Sequence, residues 1–454
     1  MNEDLTIAEK GTVGRRVAAN TGLMVGAKAL AALIGLFSLI IITKNLSISD
    51  VGTILFLHAY MLFFAEVATF QSWQAVIRFG THDLAHQDTN ALLKLLRFCM
   101  ALDFVGAIVA FVLAVIGLLF LGQFLPLLPS FRDTGDIADV SQLVRLGIPY
   151  CLLILVHQGG ASTGVFRLFD KFTPLAAQVL VMPVFRLLGA IIAWRIGGGV
   201  ESYLAAWFVG SFLGYLAFPL LAAFELQSRK LLKPLLSAWP SLKSDRQGMW
   251  PFVWKANIDA SLATGTTHLP LLLVMPIFGP AFVGAYKVAD EIAKLLSEGV
   301  LLLDRVIYPE YARMITRGHV AHIWRIIFKA SAILLGVGLA LSAIVAWIGP
   351  WLIGNMFGHD YQDAVILSIL LMLAASIMGV AAPLYPVFYA AGKPGKAIFA
   401  RSAGIGVYII LVFVLSAVIG KTGPGWAAIG GNLLAVTLAA FLVKSTLKQV
   451  ENGT

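Results

Sequence analysis

The sequence predicts an all-α polytopic membrane protein with about twelve transmembrane helices, and three observations support this class. Of the 454 residues, 59% are hydrophobic and 13% are charged, and the mean hydropathy is +0.87. The apolar residues are gathered into stretches of membrane-spanning length that are joined by short connections. Lys and Arg concentrate in alternate connections, so the positive-inside rule places both termini in the cytoplasm.

The apolar segments follow one another along the whole chain, and each is close to the roughly 20 residues that cross a bilayer. The segments that meet this requirement are 21–43, 51–77, 98–121, 143–166, 174–194, 202–224, 251–278, 281–304, 326–349, 362–390, 397–419 and 425–443. The first is too long for a signal-peptide core, which predicts an uncleaved span. Pro270 and Pro276 are expected to bend their helix and not to end it.

A basic, proline-containing connection divides the spans into two sets of six. The predicted organisation is an N-terminal six-helix lobe at 1–224, a cytoplasmic linker at 225–250 and a C-terminal six-helix lobe at 251–454. Because six spans return the chain to the same side, a pseudo-two-fold axis along the membrane normal would relate the lobes. Such an arrangement places a site at their interface.

Two short sequence echoes support a duplication. Val51-Gly52 opens the second span and Val283-Gly284 opens the eighth. The run Val165-Phe166 followed by Lys171 recurs as Val387-Phe388 followed by Lys393, where the tenth span leads into the eleventh. Each echo is short, but their matching order and positions favour a repeated unit.

The eighth span carries charges inside a membrane-length helix. At about 100° per residue, its five charges fall within an arc of roughly 100°; they are Lys287, Asp290, Glu291, Lys294 and Glu298. Facing lipid, each would cost about 3 kcal/mol, so the stripe is expected to face other helices or a water-filled cavity. Residues four apart in the stripe can also pair along the helix, which is compatible with lining a cavity.

Several short motifs along nearly the whole chain resemble those of one group of membrane proteins. They are Asn20-Thr21-Gly22, Lys44-Asn45-Leu46-Ser47 to Asp50-Val51-Gly52, Val283-Gly284-Ala285-Tyr286, Tyr308-Pro309-Glu310-Tyr311-Ala312, Phe357-Gly358 to Tyr361, and Ala391-Gly392-Lys393. The second is similar to the turn R-x-L-S-x-x-x-x-G, with Lys for Arg. The group comprises the Wzx-type oligosaccharide-lipid flippases and polysaccharide exporters of the multidrug/oligosaccharidyl-lipid/polysaccharide (MOP) superfamily. The resemblance implies two six-helix lobes that alternate between inward-open and outward-open states, with a polyprenyl-pyrophosphate-linked oligosaccharide as substrate.

Charges within the spans are the candidate site residues, because intramembrane charges are usually functional. Lys and Arg are suited to a lipid pyrophosphate, so the candidate headgroup-binding residues are Lys28, Arg186, Lys255, Lys287 and Lys294. Carboxylates that could couple transport to H⁺ or Na⁺ are Asp259, Asp290 and Glu291. Glu66 and Asp103 either serve the site or face packed helices with partners that the sequence does not reveal. The sequence shows no residues at the spacing of metal ligands and no catalytic signature. Apart from a coupling ion, no cofactor is expected.

The favoured function is a flippase of a bacterial inner membrane that moves a lipid-linked repeat unit of O-antigen or exopolysaccharide outward. Its expected partners are the glycan substrate, membrane lipids, and the polysaccharide polymerase and glycosyltransferases of the same pathway. A multidrug or cation antiporter of the same superfamily is the alternative. A membrane glycosyltransferase or polymerase is disfavoured because the loops are short. The net charge of +9 is explained by the positive-inside pattern, so no nucleic-acid partner is expected.

Overall fold

The computed structural model describes residues 3–68, 70, 72–128, 137–244, 246–316 and 320–452. Side chains within these ranges are described except at 3–21, 137–139, 259–260, 262–266, 295–310, 312–313, 316, 320–321 and 451–452. The described residues form α-helices and short 3-10 turns, and no β-strand occurs among them. The predicted all-α class is confirmed.

The helices are numbered here in chain order. They are α1 (Glu3–Asn45), α2 (Ile48–Ala68), α3 (Ser72–Ala85), α4 (Thr89–Phe124), α5 (Ile137–Cys151), α6 (Leu153–Val156), α7 (Gly160–Leu168), α8 (Phe172–Arg195), α9 (Val200–Ser228), α10 (Leu232–Leu236), α11 (Met249–Thr316), α12 (Val320–Met356), α13 (Asp363–Ala381), α14 (Tyr385–Ala390), α15 (Pro394–Ile419) and α16 (Gly423–Asn452).

Stretches that could cross a membrane dominate the fold. In the part of the chain that the structure describes, ten helical stretches are long and apolar enough to do so. One of them, Pro394–Val450, contains α15 and most of α16, and another, Ile48–Ala85, joins α2 to α3. The count of twelve spans and the symmetry of two lobes therefore stay predictions.

Several predicted spans are interrupted helices. The segment at 51–77 contains the end of α2 and the start of α3, and the segment at 143–166 is broken at His157–Gly159, between α6 and α7. The segment at 362–390 is broken between α13 and α14. Among the described residues of α11, only Gly279 has backbone dihedral angles outside the helical region, with φ of 79° and ψ of 178°. The helix thus continues through Pro270 and Pro276, as predicted, and kinks just before Pro280.

The second sequence echo forms the same turn twice. After α7, the Lys171 N–H donates to the Phe166 carbonyl at 2.7 Å, and after α14 the Lys393 N–H donates to the Phe388 carbonyl at 2.8 Å. The residue before each lysine has a positive φ, 57° at Asp170 and 71° at Gly392. These hydrogen bonds are those of a Schellman-type helix end. The repeated sequence therefore corresponds to a repeated local structure.

The chain divides into two compact units. The first contains α1, α2 from Leu57 onward, and α3 to α11 as far as His268. Here α1 packs on α8, α8 on α9, and α3 on α4 and α7, around buried side chains that include Phe98, Cys99 and Phe166. The second contains Ser47–Phe56 and the chain from Leu269, with α16 packed on α13 and α15. The boundaries predicted at 224 and 251 are not tested by this division and stay predictions.

Candidate functional site

The charged stripe of α11 is an ion-pair cluster in the second unit. Lys287 Nζ lies 2.6 Å from Glu291 Oε1 and 3.1 Å from Asp290 Oδ2. Lys294 Nζ lies 2.8 Å from Asp290 Oδ2 and 3.4 Å from Glu291 Oε1. Two pairs four residues apart that the sequence predicts are formed, Lys287 with Glu291 and Lys294 with Asp290, and pairs three apart supplement them. Glu298, the fifth member of the stripe, lies outside the described side chains.

These four charges are half-buried, and together they are neutral. The exposed fraction of the side chain is 19% for Lys287, 25% for Asp290 and 39% for Glu291. Each lysine bridges both carboxylates, so a change in the charge of one carboxylate alters the surroundings of both lysines. A proton or a cation that binds one of these carboxylates would therefore replace a lysine as the partner of that carboxylate.

Arg186 lies in a different environment, inside the first unit. Its side chain is on α8 and the residue is only 9% exposed. Its guanidinium donates to Ser211 Oγ of α9, from Nε at 3.2 Å and from Nη2 at 2.6 Å. Its Nη2 also lies 3.0 Å from Nε2 of His58 on α2, and its Cζ lies 4.5 Å from the centre of the Trp207 ring.

Small residues allow this arrangement. A Cβ atom added at Gly210 would lie 2.7 Å from Cγ of Arg186, and one added at Gly189 would lie 2.6 Å from Cβ of Ala206. The backbones of α8 and α9 thus approach closely, as is typical of membrane helices with glycine at the interface. The ring of His58 continues the network, since its Nδ1 lies 3.0 Å from the hydroxyl of Tyr150 on α5.

None of the partners that the structure describes for Arg186 is a carboxylate. A buried cation without a counter-ion is costly, and hydrogen bonds and the face of an indole ring offset this cost only in part. Arg186 therefore retains the capacity to pair with an anion. Sequence reasoning found Arg186 but not His58, Ser211 or Trp207.

The remaining predicted site residues are not brought together. Lys28 on α1 and Lys255 on α11 are exposed, and Asp259 lies outside the described side chains. The structure thus gathers Lys287, Asp290, Glu291 and Lys294 into one cluster and places Arg186 in another, without testing the role of any of them.

A second pair of titratable side chains lies in the first unit. His268 Nε2 of α11 is 3.3 Å from Oε2 of Glu66 on α2, with side-chain exposures of 16% and 25%. Nearby along the same helices, Ser261 Oγ donates to the Val67 carbonyl at 2.8 Å. The sequence placed Glu66 within a span but did not identify its partner, because His268 lies in a different segment. A histidine within an apolar span was the available signal.

Asp103 on α4 has a structural position. It is 4% exposed, and its Oδ2 accepts the N–H of Ala161 at 2.8 Å, in the first turn of α7. The interruption before α7 is also packed internally, because the His157 ring makes an edge contact with Tyr215 at 4.5 Å between centres. The Gln158 side chain donates to the Leu155 carbonyl at 2.7 Å.

The helical fold is similar to those of solved membrane transporters, including a member of the MOP superfamily. A multidrug resistance MATE family transporter of this superfamily, in an inward-facing conformation, matches with a TM-score of 0.67 at 12% identity, over 93% of this chain and 96% of that one. The lipid II flippase MurJ matches with a TM-score of 0.62 at 13% identity, over 95% of this chain and 90% of that one. At these identities the likeness shows the fold.

One relative by sequence is the inner membrane protein YghQ of Escherichia coli (strain K12). It is 27% identical over 351 residues, which are 77% of this chain and 95% of the relative. No protein-family model matches the chain. The predicted fold class is confirmed by these neighbours, whereas the Wzx-type specificity belongs to the proposal below.

Proposed function

We propose that this protein is a flippase that moves a polyprenyl-pyrophosphate-linked oligosaccharide from the cytoplasmic to the outer face of a bacterial inner membrane. Alternating access would carry the polar headgroup across while the polyprenyl chain stays in lipid. The similarity of the fold to those of transporters supports transport as the function. Since MurJ is a flippase of lipid II, a lipid-linked substrate is consistent with this fold. The motif resemblance supports a glycan such as an O-antigen or exopolysaccharide unit.

The observation that carries this proposal is the buried Arg186, whose described partners include no carboxylate. A guanidinium binds phosphate oxygens through paired N–H donors, and this interaction is strong where water is excluded. A site for organic cations would not be expected to hold a buried guanidinium that lacks a carboxylate partner among the described side chains. Arg186 is thus best suited to an anionic headgroup, with exposed Lys28 and Lys255 as further candidate contacts.

The ion-pair cluster of α11 suggests how binding could be coupled to H⁺ or Na⁺. In the paired state the charges of Lys287 and Lys294 are balanced by Asp290 and Glu291. Neutralising one carboxylate with a proton or Na⁺ leaves the cluster with a net positive charge, which favours a pyrophosphate. Asp259 is a third candidate for coupling. No other cofactor is proposed.

Translocation in vesicles tests the role of Arg186. The probe is a synthetic polyprenyl-pyrophosphate disaccharide with a fluorescent label that a membrane-impermeant reductant quenches on the outer leaflet. We expect Arg186→Gln to lower the translocation rate about tenfold or more, because a charge-assisted hydrogen bond to phosphate contributes roughly 1.5–3 kcal/mol. Arg186→Lys keeps the charge but not the paired donors, so it should retain an intermediate rate.

Arg145→Gln is the matched control. Arg145 lies 2.7 Å from Glu201, and both side chains are exposed, at 67% and 61%. This variant should translocate at the wild-type rate. Size-exclusion profiles establish that each variant is folded. Equal rates for folded Arg186→Gln and wild type would remove the basis of the proposal.

A cation or multidrug antiporter is the second candidate, and the Glu66 and His268 pair is the observation that favours it. A half-buried carboxylate in a span can exchange a proton for an organic cation. If the protein is a cation antiporter, cells expressing it should extrude a cationic dye, and Glu66→Gln should abolish the extrusion. Under the flippase proposal, expression should leave dye accumulation unchanged.

A further inference from the structure

A cavity of about 440 Å³ lies beside the start of α4, where the chain between α9 and α11 returns to the first unit. Its described lining includes four cationic side chains and one acidic side chain, that of Asp88; the cationic residues are Lys94, Arg97, Lys243 and Arg246. The positive-inside pattern predicts that this end of α4 faces the cytoplasm.

Two arginines build the cavity by attaching the connecting chain to α3 and α4. Arg97 donates from Nε to the Leu235 carbonyl at 3.0 Å, at the end of α10. Arg246 donates to the Ala91 carbonyl at 3.1 Å and pairs with Asp83, which is 3% exposed. The two guanidinium groups therefore have structural partners. Lys94 and Lys243 also line the cavity, and both residues are exposed.

The acidic group on the lining is also engaged in the fold. Asp88 Oδ1 accepts the Ala91 N–H at 2.9 Å and caps the start of α4. A cap of this kind satisfies a helix N–H and holds the carboxylate in place. Cationic side chains therefore outnumber acidic ones on the described lining.

Apolar side chains are exposed directly beside these charges. Trp239, which lines the cavity, is 91% exposed, and Leu236, which follows the residue whose carbonyl Arg97 contacts, is 65% exposed. Trp250 is 36% exposed and packs edge-on against Phe98 of the lining, with 5.3 Å between ring centres. Tryptophan beside lysine at the end of a membrane span is the composition of a headgroup region. A soluble anion would use the cations but would leave Trp239 and Leu236 in water.

We propose that this cavity binds the phosphate of an anionic phospholipid from the surrounding bilayer. Lys94 and Lys243 contact the phosphate, and Trp239 and Leu236 lie at the level of the headgroups and upper acyl chains. Basic pockets at the cytoplasmic ends of membrane helices bind anionic lipid headgroups in this way. The connecting chain then becomes part of a lipid site that anchors the first unit to the anionic leaflet.

Native mass spectrometry of the full chain in detergent tests the proposal. The protein is titrated in parallel with phosphatidylglycerol and with phosphatidylcholine of the same acyl chains. Wild type should bind the first phosphatidylglycerol about tenfold more tightly than phosphatidylcholine. The double variant Lys94→Gln/Lys243→Gln should lose this preference, since each cation near an anionic surface changes affinity about fivefold. Trp239→Ala should weaken binding of both lipids.

The matched control is Lys444→Gln/Lys448→Gln, which removes two exposed lysines from the end of α16. It should keep the wild-type preference, and both double variants should show wild-type thermal unfolding. The proposal is overturned if Lys94→Gln/Lys243→Gln keeps the preference or if the control loses it equally. It also fails if millimolar glycerol phosphate displaces the lipid while Trp239→Ala has no effect, because the site would then bind free anions.

Discussion

Replacing Gly52 with alanine is expected to destabilise the protein by at least about 3 kcal/mol, the upper end of ordinary overpacking. Gly52 is the fifth residue of α2, and it lies against α11 where that helix resumes after its kink. A Cβ atom added there would overlap the carbonyl oxygen of Pro280 and lie 2.5 Å from its carbonyl carbon. Both are backbone atoms, so no side-chain rotation relieves the overlap and one helix must shift.

The measurement is unfolding in mixed micelles of increasing SDS content, followed by tryptophan fluorescence. Gly35→Ala is the control, because Gly35 lies within α1 and has nothing within 4 Å of its added Cβ. It should be neutral or stabilising by up to about 1 kcal/mol, the usual gain of alanine over glycine in a helix. If Gly52→Ala, Gly35→Ala and wild type unfold at the same SDS content, the close approach of α2 and α11 does not contribute to stability.

Gly284 lies on the other side of the same contact. An added Cβ there would lie 2.9 Å from the Ile48 carbonyl oxygen and 3.6 Å from the Gly52 nitrogen. The two Val-Gly pairs that the sequence suggested as an echo thus face each other, with Val51 and Val283 fully buried. The sequence indicated small residues at equivalent positions. It did not reveal their mutual contact, which depends on how two distant helices cross.

Features that depend on one helix were predictable from the sequence. The pairing of Lys287 with Glu291, and of Lys294 with Asp290, follows from 3.6 residues per turn and requires no knowledge of the tertiary structure. The turns at Lys171 and Lys393 are equally local. The all-α class followed from composition and the length of the apolar segments, which the bilayer thickness sets.

Features that depend on several helices were not predictable. Arg186 was found as an intramembrane charge, but its surroundings come from α2 and α9, and its network extends to α5. The sequence predicts a span at 143–166 with a polar stretch at His157–Gly159, but it does not reveal that the helix is interrupted there. A helix can break inside the membrane only where other parts of the protein satisfy its free backbone groups.

Asp103 accepts a hydrogen bond from a free backbone N–H at this interruption. Its replacement is the second substitution with a large expected effect. Its carboxylate accepts the Ala161 N–H, and a Cβ atom at Gly160 would lie 2.9 Å from both carboxylate oxygens and would overlap Ser72 Oγ. The starts of α3 and α7 therefore converge beside Asp103. Two helix N-termini carry partial positive charge, which a buried carboxylate stabilises.

Asp103→Ala should lower the free energy of unfolding by about 3 kcal/mol, because it removes the buried carboxylate that accepts the partly buried Ala161 N–H beside two helix N-termini. Asp103→Asn keeps an acceptor oxygen and should cost about 1 kcal/mol, the contribution of the charge. Asp88→Ala is the matched control, since Asp88 accepts the Ala91 N–H at 2.9 Å in the same capping role at an exposed position. Its expected cost is also about 1 kcal/mol. The same SDS titration ranks the three variants, and an Asp103→Ala cost no larger than that of Asp88→Ala would contradict the role of Asp103 in closing the interrupted span.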